Sequence, residues 1–162
     1  MIKELGDFTR TIGQITPGTR AYVDGAYGSL TVDGRTEPGV ALIAGGIGIA
    51  PLIGILRQMR LTNDPRQTRI VYGNRRIEQI VCRTELEGED VCHVLSEPPE
   101  DWTGEAGYVS ADLLDRVFTQ QEIKDWLFVI CGPPKMIDSV EDHLIGKGAP
   151  SHHILAERFT YD

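Results

Sequence analysis

The stretch from Val40 to Pro51 reads as an apolar strand, a glycine turn and a helix opening: Val40-Ala41-Leu42-Ile43-Ala44 runs into Gly45-Gly46-Ile47-Gly48-Ile49-Ala50-Pro51. A strand without polar alternation is buried on both faces, the situation of strands in parallel sheets covered by helices. The segment therefore constrains the chain to an α/β fold. Its glycines let the backbone turn tightly, and Pro51 suits a first helical turn, where a missing N–H costs nothing. The same turn aims backbone amides and a helix N-terminus at one point, an arrangement suited to a dinucleotide pyrophosphate. Gly46-x-Gly48-x-x-Pro51 has proline where the common fingerprint has a third glycine, so a plain strand-to-helix connection is the competing reading.

From residue 39 onward strand and helix patterns alternate. Strands are predicted at Val40 to Ala44, Arg69 to Tyr72, Val91 to Leu95, Trp126 to Ile130 and His153 to Ala156. Helical spacing links Leu52, Ile55, Leu56 and Met59; Ile77, Ile80 and Val81; Leu113, Leu114 and Val117; and Met136, Val140 and Leu144. Five strands with four intervening helices predict a doubly wound parallel sheet with helices on both faces, binding its ligand at the carboxyl ends of the strands. Residues 1–36 differ. Closely spaced turn signals surround two short strand candidates, Arg20 to Val23 and Ser29 to Val32, with a short helical stretch at Asp7 to Ile15. So few strands cannot make a sheet of their own, which suggests the tail of an antiparallel domain (1–36) joined to an α/β domain (37–162). A complete N-terminal hairpin packed on the α/β domain is the alternative.

The 162 residues carry a formal net charge of −8, which argues against nucleic acid as a partner because phosphate-backbone binding needs a basic face. Arg57, Arg60, Arg66, Arg69, Arg75, Arg76 and Arg83 nevertheless crowd one region, where most would solvate a surface and some could hold an anionic ligand. Cys82, Cys92 and Cys131 form no CxxC pair, and no metal-ligand spacing is present. An odd cysteine count suits a reducing compartment, and the expected location is the cytoplasm; any membrane attachment would come through regions outside this chain. Neither a Gly-x-Ser-x-Gly elbow nor a phosphate loop ending in Gly-Lys-Ser/Thr occurs, which leaves hydrolase and transferase readings unsupported.

A second loop of the same kind follows the fourth predicted strand: Cys131-Gly132-Pro133-Pro134-Lys135-Met136 again leads into a helix, and Cys131 is expected to face the ligand crevice. With Tyr72-Gly73-Asn74-Arg75, Leu95-Ser96-Glu97-Pro98-Pro99, Trp102-Thr103-Gly104, Gly107-Tyr108 and the tail Glu157-Arg158-Phe159, the chain resembles the nicotinamide-binding domain of the ferredoxin-NADP reductase superfamily over about residues 39–162. The resemblance implies a pyrophosphate loop at Gly45, Gly46, Ile47, Gly48, Ile49, Ala50 and Pro51. It places an adenosine-side loop at Gly73, Asn74, Arg75 and Arg76, and a nicotinamide-side loop at Cys131, Gly132, Pro133, Pro134 and Met136. Cys131 would hold the nicotinamide ring beside the flavin more than act as a nucleophile, Glu157 would lie near the flavin, and Phe159 would cover it until nicotinamide displaces it. Many relatives have threonine at the position of Ala50, so one hydrogen bond to the cofactor is expected to be missing here.

In this superfamily an antiparallel FAD-binding barrel precedes the nicotinamide domain. Gly6-Asp7-Phe8-Thr9 is similar to its helix start, where Thr9 would meet the FAD pyrophosphate, and Gly25-Ala26-Tyr27-Gly28 to the turn closing the barrel. The Arg-x-Tyr-Ser/Thr motif of the barrel is missing; Arg20-Ala21-Tyr22-Val23 imitates it out of place. The implication is a fragment whose flavin-binding module lies upstream, so FAD belongs to the intact protein and not to this chain. Hydride would pass from NADPH or NADH to FAD, and electrons onward to a haem, iron-sulfur or ferric acceptor. Asn74-Arg75-Arg76 offers two guanidiniums and no carboxylate at the 2′ end of the adenosine ribose, which favours NADPH. The alternative is a non-catalytic dinucleotide-binding or regulatory module without its own flavin.

Overall fold

The structure is a computed structural model and describes residues 7, 9–25 and 28–158. Six strands form one sheet: β1 (Gly39–Gly45), β2 (Gln67–Asn74), β3 (Asp90–Leu95), β4 (Glu105–Ala106), β5 (Leu127–Gly132) and β6 (Ile154–Arg158). Their order is β4-β3-β2-β1-β5-β6 and every pairing is parallel. The chain thus winds outward from β1 to β4, then returns to the other side of β1. That reversal between β1 and β5 is the switch point where parallel sheets of this kind open a crevice. All five predicted strands are present. The sixth corrects the five-stranded expectation: two residues at Glu105–Ala106 are too short to show a periodicity, and the strand exists because it bonds to the end of β3.

Among the described residues five α-helices cover the sheet: α1 (Ile49–Leu61), α2 (Arg83–Leu86), α3 (Ala111–Val117), α4 (Gln120–Asp125) and α5 (Pro134–Gly146). All seven residues of β1 are buried, and alternate side chains enter opposite layers. Val40, Leu42 and Ala44 pack with Leu52, Leu56 and Met59 of α1; Ala41 and Ile43 pack with Leu113, Leu114, Ile137 and Val140 from α3 and α5. Local chemistry sets the helix ends on the second face. Ser110 caps α3 by accepting from the Leu113 N–H, and Thr119 and Glu122 form a capping box on α4.

The N-terminal region departs from expectation. Residues 20–23 and 29–32 form no strand; among the described residues no neighbour offers them a ladder, and Tyr22 and Val23 are 88% and 91% exposed. Thr9–Gln14 is a 3-10 helix without a buried residue. The chain becomes attached at Val32, which is buried in the α1-side core. Arg35 then pairs with Glu37 and donates to the His152 carbonyl at 2.6 Å. His152, whose carbonyl accepts this bond, is followed by His153. They lie in a 3-10 turn ahead of β6 with ring centroids 4.6 Å apart.

Candidate functional site

Strand register brings the two loops to one edge. Gly45 pairs with Gly73, Ala44 with Cys131, and Cys131 with Glu157. A cleft of about 1150 Å³ opens there, lined from β1 by Gly45, Gly46 and Ile47, from β2 by Gly73, Asn74 and Arg75, and from the β5 side by Pro133 and Met136. Such a cleft is large enough for a dinucleotide-sized ligand.

The glycines divide the work. Gly46 has φ +55°, and a Cβ there would meet nothing within 4 Å, so its backbone stands open. Gly48, which the resemblance places in the pyrophosphate loop, has its Cβ side against protein. A Cβ at Gly48 would lie 2.0 Å from the Cys131 carbonyl oxygen, and one at Gly132 would lie 3.0 Å from the Gly45 nitrogen. A Cβ at Gly45 would meet Pro133 at 2.7 Å and Met136 at 2.8 Å. The two loops therefore lock backbone against backbone, and only Gly46 is kept free of protein on its open side.

Of the predicted site residues, Gly48, Ile49, Ala50 and Pro51 form the root of α1 behind the turn and do not line the cleft. Pro134 is the first residue of α5 and Gly132 is buried. Cys131, expected to face the crevice, is fully buried and packs in the α1-side core. Burial, with the Glu157 charge adding to it, pushes its thiol up to about 12, so the group is a neutral thiol at physiological pH. Glu157 is exposed on β6, Thr9 stands outside the cleft lining, and Phe159 lies outside the described residues.

The adenosine-side expectation needs one correction. Arg75 lines the cleft, but Arg76 does not: its backbone N–H is bonded to the Gln79 side chain and it points the chain into a 3-10 turn. The carboxylate missing from Asn74-Arg75-Arg76 is supplied from β3's end. Glu97 accepts from Arg75 Nε at 2.6 Å, and its own N–H is bonded to the Arg75 carbonyl at 2.8 Å. Sequence proximity could not show this, because 22 residues separate the pair. Further cleft residues without an expected role include Ser96, Tyr108, Lys135 and Ser139. Tyr108 is 80% exposed at the rim, while its neighbour Val109 is tucked against Gly73. The signal available in the sequence was their place just after the carboxyl ends of β3, β4 and β5.

A parallel sheet with its cleft at the switch point, and two interlocked glycine loops at that cleft, define the class of nicotinamide-dinucleotide-binding α/β domains. The chain belongs to the oxidoreductase NAD-binding domain family, whose profile matches residues 42–142. It is 32% identical over 157 residues to NADH-cytochrome b5 reductase 1 of Meyerozyma guilliermondii, and 28% identical over 163 residues to the protein of that name from Cryptococcus neoformans. Each alignment covers 91% of this chain and 55% of the relative, so the chain spans about half the length of the relatives it matches. Among solved structures, the CS-b5R domains of human Ncb5or in the NAD+ form superpose with a TM-score of 0.78 at 25% identity, covering 96% of this chain and 46% of the other. Among the described residues no helix is long and apolar enough to cross a membrane.

Proposed function

We propose that this chain is the nicotinamide-dinucleotide-binding part of a flavoenzyme that moves reducing equivalents from NAD(P)H to FAD and on to a haem, iron-sulfur or ferric acceptor. The observation that carries this reading is the cleft at the β1/β5 switch point, where Gly45 packs against the proline-led loop of α5 and the next residue, Gly46, keeps an open backbone. Bound NAD(P)H would supply the hydride chemistry, with the flavin held by a separate flavin-binding module. The chain's own residues position. Gly45, Gly46 and Ile47 present backbone to the pyrophosphate, Pro133 and Met136 wall the nicotinamide side, and buried Cys131 holds the carboxyl end of β5 in register with β1. Glu157 stands beside Cys131 on the side where a flavin would approach. Residues 1–36 are read as the end of the flavin-binding barrel and 37–162 as the nicotinamide domain, working in the cytoplasm or on the cytosolic face of a membrane.

Cofactor choice is decided at the Arg75–Glu97 pair. Arg75 favours the 2′-phosphate of NADPH, and Glu97 both occupies that arginine and offers an acceptor to the free 2′-hydroxyl of NADH. NADPH is bound when Arg75 turns from Glu97 to the phosphate. Calorimetric titration of NAD+ and NADP+ tests the reading. Wild type binds both, Glu97→Gln raises the preference for NADP+ by about threefold, and Arg75→Ala lowers it by about fivefold. Absence of dinucleotide binding by the wild-type chain would refute the function; preferences unmoved by either substitution would refute the role of the pair.

A further inference from the structure

We infer that Lys135 is the cation that meets the dinucleotide pyrophosphate, a role resting on the function proposed above. The first ground is the charge balance of the cleft. Among the described residues two cationic side chains line it, Arg75 and Lys135, and Glu97 neutralises Arg75. Lys135 makes no ion pair among the described residues. Of the carboxylates that follow it along α5, Asp138 and Glu141 are held by Arg158 from the end of β6, and Asp142 lies seven residues on, beyond the neighbouring turn. A lysine with a carboxylate three residues ahead on a helix ordinarily has a partner within reach. Here that partner is taken by another strand, which leaves Lys135 as the uncompensated positive charge of the cleft in a chain of net charge −8.

The second ground is position. Lys135 is the second residue of α5, and the first turn of that helix abuts the β1 turn, with Pro133 and Met136 pressed against Gly45. The next residue, Gly46, is the one whose backbone stands open. Arg75 belongs to the opposite side of β1, at the end of β2. Neighbouring strands are about 4.8 Å apart, so the ends of β5 and β2 stand roughly 10 Å apart with the glycine turn between them. A dinucleotide laid across these ends with its adenosine ribose over β2 brings its pyrophosphate over β1, within reach of a flexible lysine stem rooted beside β5. The 2′ position falls on the Arg75 side. Lys135 thus serves the phosphates common to NADH and NADPH, whereas Arg75 and Glu97 tell the two apart.

The test separates the two phosphate positions with two ligands. ADP-ribose carries the pyrophosphate without nicotinamide or 2′-phosphate; adenosine 2′-monophosphate carries only the 2′-phosphate. Affinities are measured by calorimetry at two salt concentrations for wild type, Lys135→Met, Lys135→Glu and Arg75→Met, with circular dichroism to verify that each exposed-site variant retains its fold. Lys135→Met is expected to weaken ADP-ribose about five- to tenfold and to flatten its salt dependence, Lys135→Glu to weaken it further, and both to leave adenosine 2′-monophosphate within about twofold. Arg75→Met shows the reverse pattern. Unchanged ADP-ribose affinity and salt dependence in both Lys135 variants, with wild type binding normally, would overturn the inference alone, as would equal losses for the two ligands. If wild type binds neither ADP-ribose nor NAD+, the proposed function falls, and this inference with it.

Discussion

The two edges of the sheet use the same residue types in opposite ways. At the amino edge four arginines of the cluster find carboxylates. Arg57 pairs with Glu85, Arg60 with Glu89, Arg66 with Asp64, and Arg69 with both Asp90 and Glu122. At the carboxyl edge backbone is left open at Gly46, one pair crosses the adenosine side, Arg158 holds Asp138 and Glu141, and among the described residues Lys135 has no ion-pair partner. An arginine-rich region in an acidic chain is therefore no guide to an anion site. What distinguishes ligand-facing charge from structural charge is whether the fold has already supplied the carboxylate. The amino edge is closed by side chains and the carboxyl edge is held open by backbone packing, so the two edges should fail differently when disturbed.

The largest effect is expected from Gly48→Ala. In an ordinary helix start this change is harmless or favourable, but here the new methyl would sit 2.0 Å from the Cys131 carbonyl, and two backbone segments would have to part. Loss of about 3 kcal/mol of stability in urea unfolding is expected, with loss of dinucleotide binding, because separation of the loops reshapes the cleft. Full stability with weakened binding would mean that Gly48 serves the ligand directly, and the interlocking of the two loops would then carry no weight.

This glycine also marks how far the sequence could be read. The order of the five longer strands was legible because the apolar runs at Val40 to Ala44 and Trp126 to Ile130 admit only doubly buried strands, and because both lead into glycine or proline turns. The helical spacing at Ile77, Ile80 and Val81 misled, since Ile77–Gln79 is a 3-10 turn and the helix begins at Arg83. The loops themselves were legible as loops. Which glycine faces ligand and which faces protein was not, because that depends on the approach of β5 to β1, more than 80 residues apart in the chain. Glu97 reached Arg75 by the same kind of long-range placement, and Glu105–Ala106 became a strand only through its neighbour. In the N-terminal region, the alternation at Arg20 to Val23 was real as a pattern but had nothing to pair with among the described residues.

An intermediate effect is expected at the closed edge. Arg69 is three-quarters buried; its guanidinium lies 5.5 Å from the Phe118 ring centroid and 5.3 Å from that of Trp126, and it donates to the Val117 carbonyl at 2.8 Å. It ties β2 to β3 and to the α3–α4 connection. Arg69→Met keeps much of the stem packing while leaving Glu122 Oε1 and the Val117 carbonyl without the Arg69 donor, and about 2 kcal/mol of stability should be lost. Affinity for NAD+ or NADP+ should stay within about twofold, since no ligand-facing group has moved. A large fall in affinity at normal stability would erase the distinction between the edges.

The smallest effect tests whether the open edge rests on a dry foundation. Cys131 lies beneath the cleft, and burial with the nearby Glu157 charge raises its thiol from an ordinary value of 9.0 to about 12. The folded state holds this proton more tightly than the unfolded chain does. The resulting stability is fully present below pH 9, where both states are protonated, and is lost as pH rises from 9 toward 12, because the unfolded chain ionises first. Wild type should therefore lose about 1 kcal/mol between pH 8 and pH 10 relative to Cys131→Ala, whose stability has no such component. Parallel denaturation curves for the two proteins across that range would show the thiol to be hydrated in the folded state. In that case solvent reaches between the β1 and β5 loops, and the backbone contact from Gly48 to Cys131 cannot be what keeps the cleft in shape.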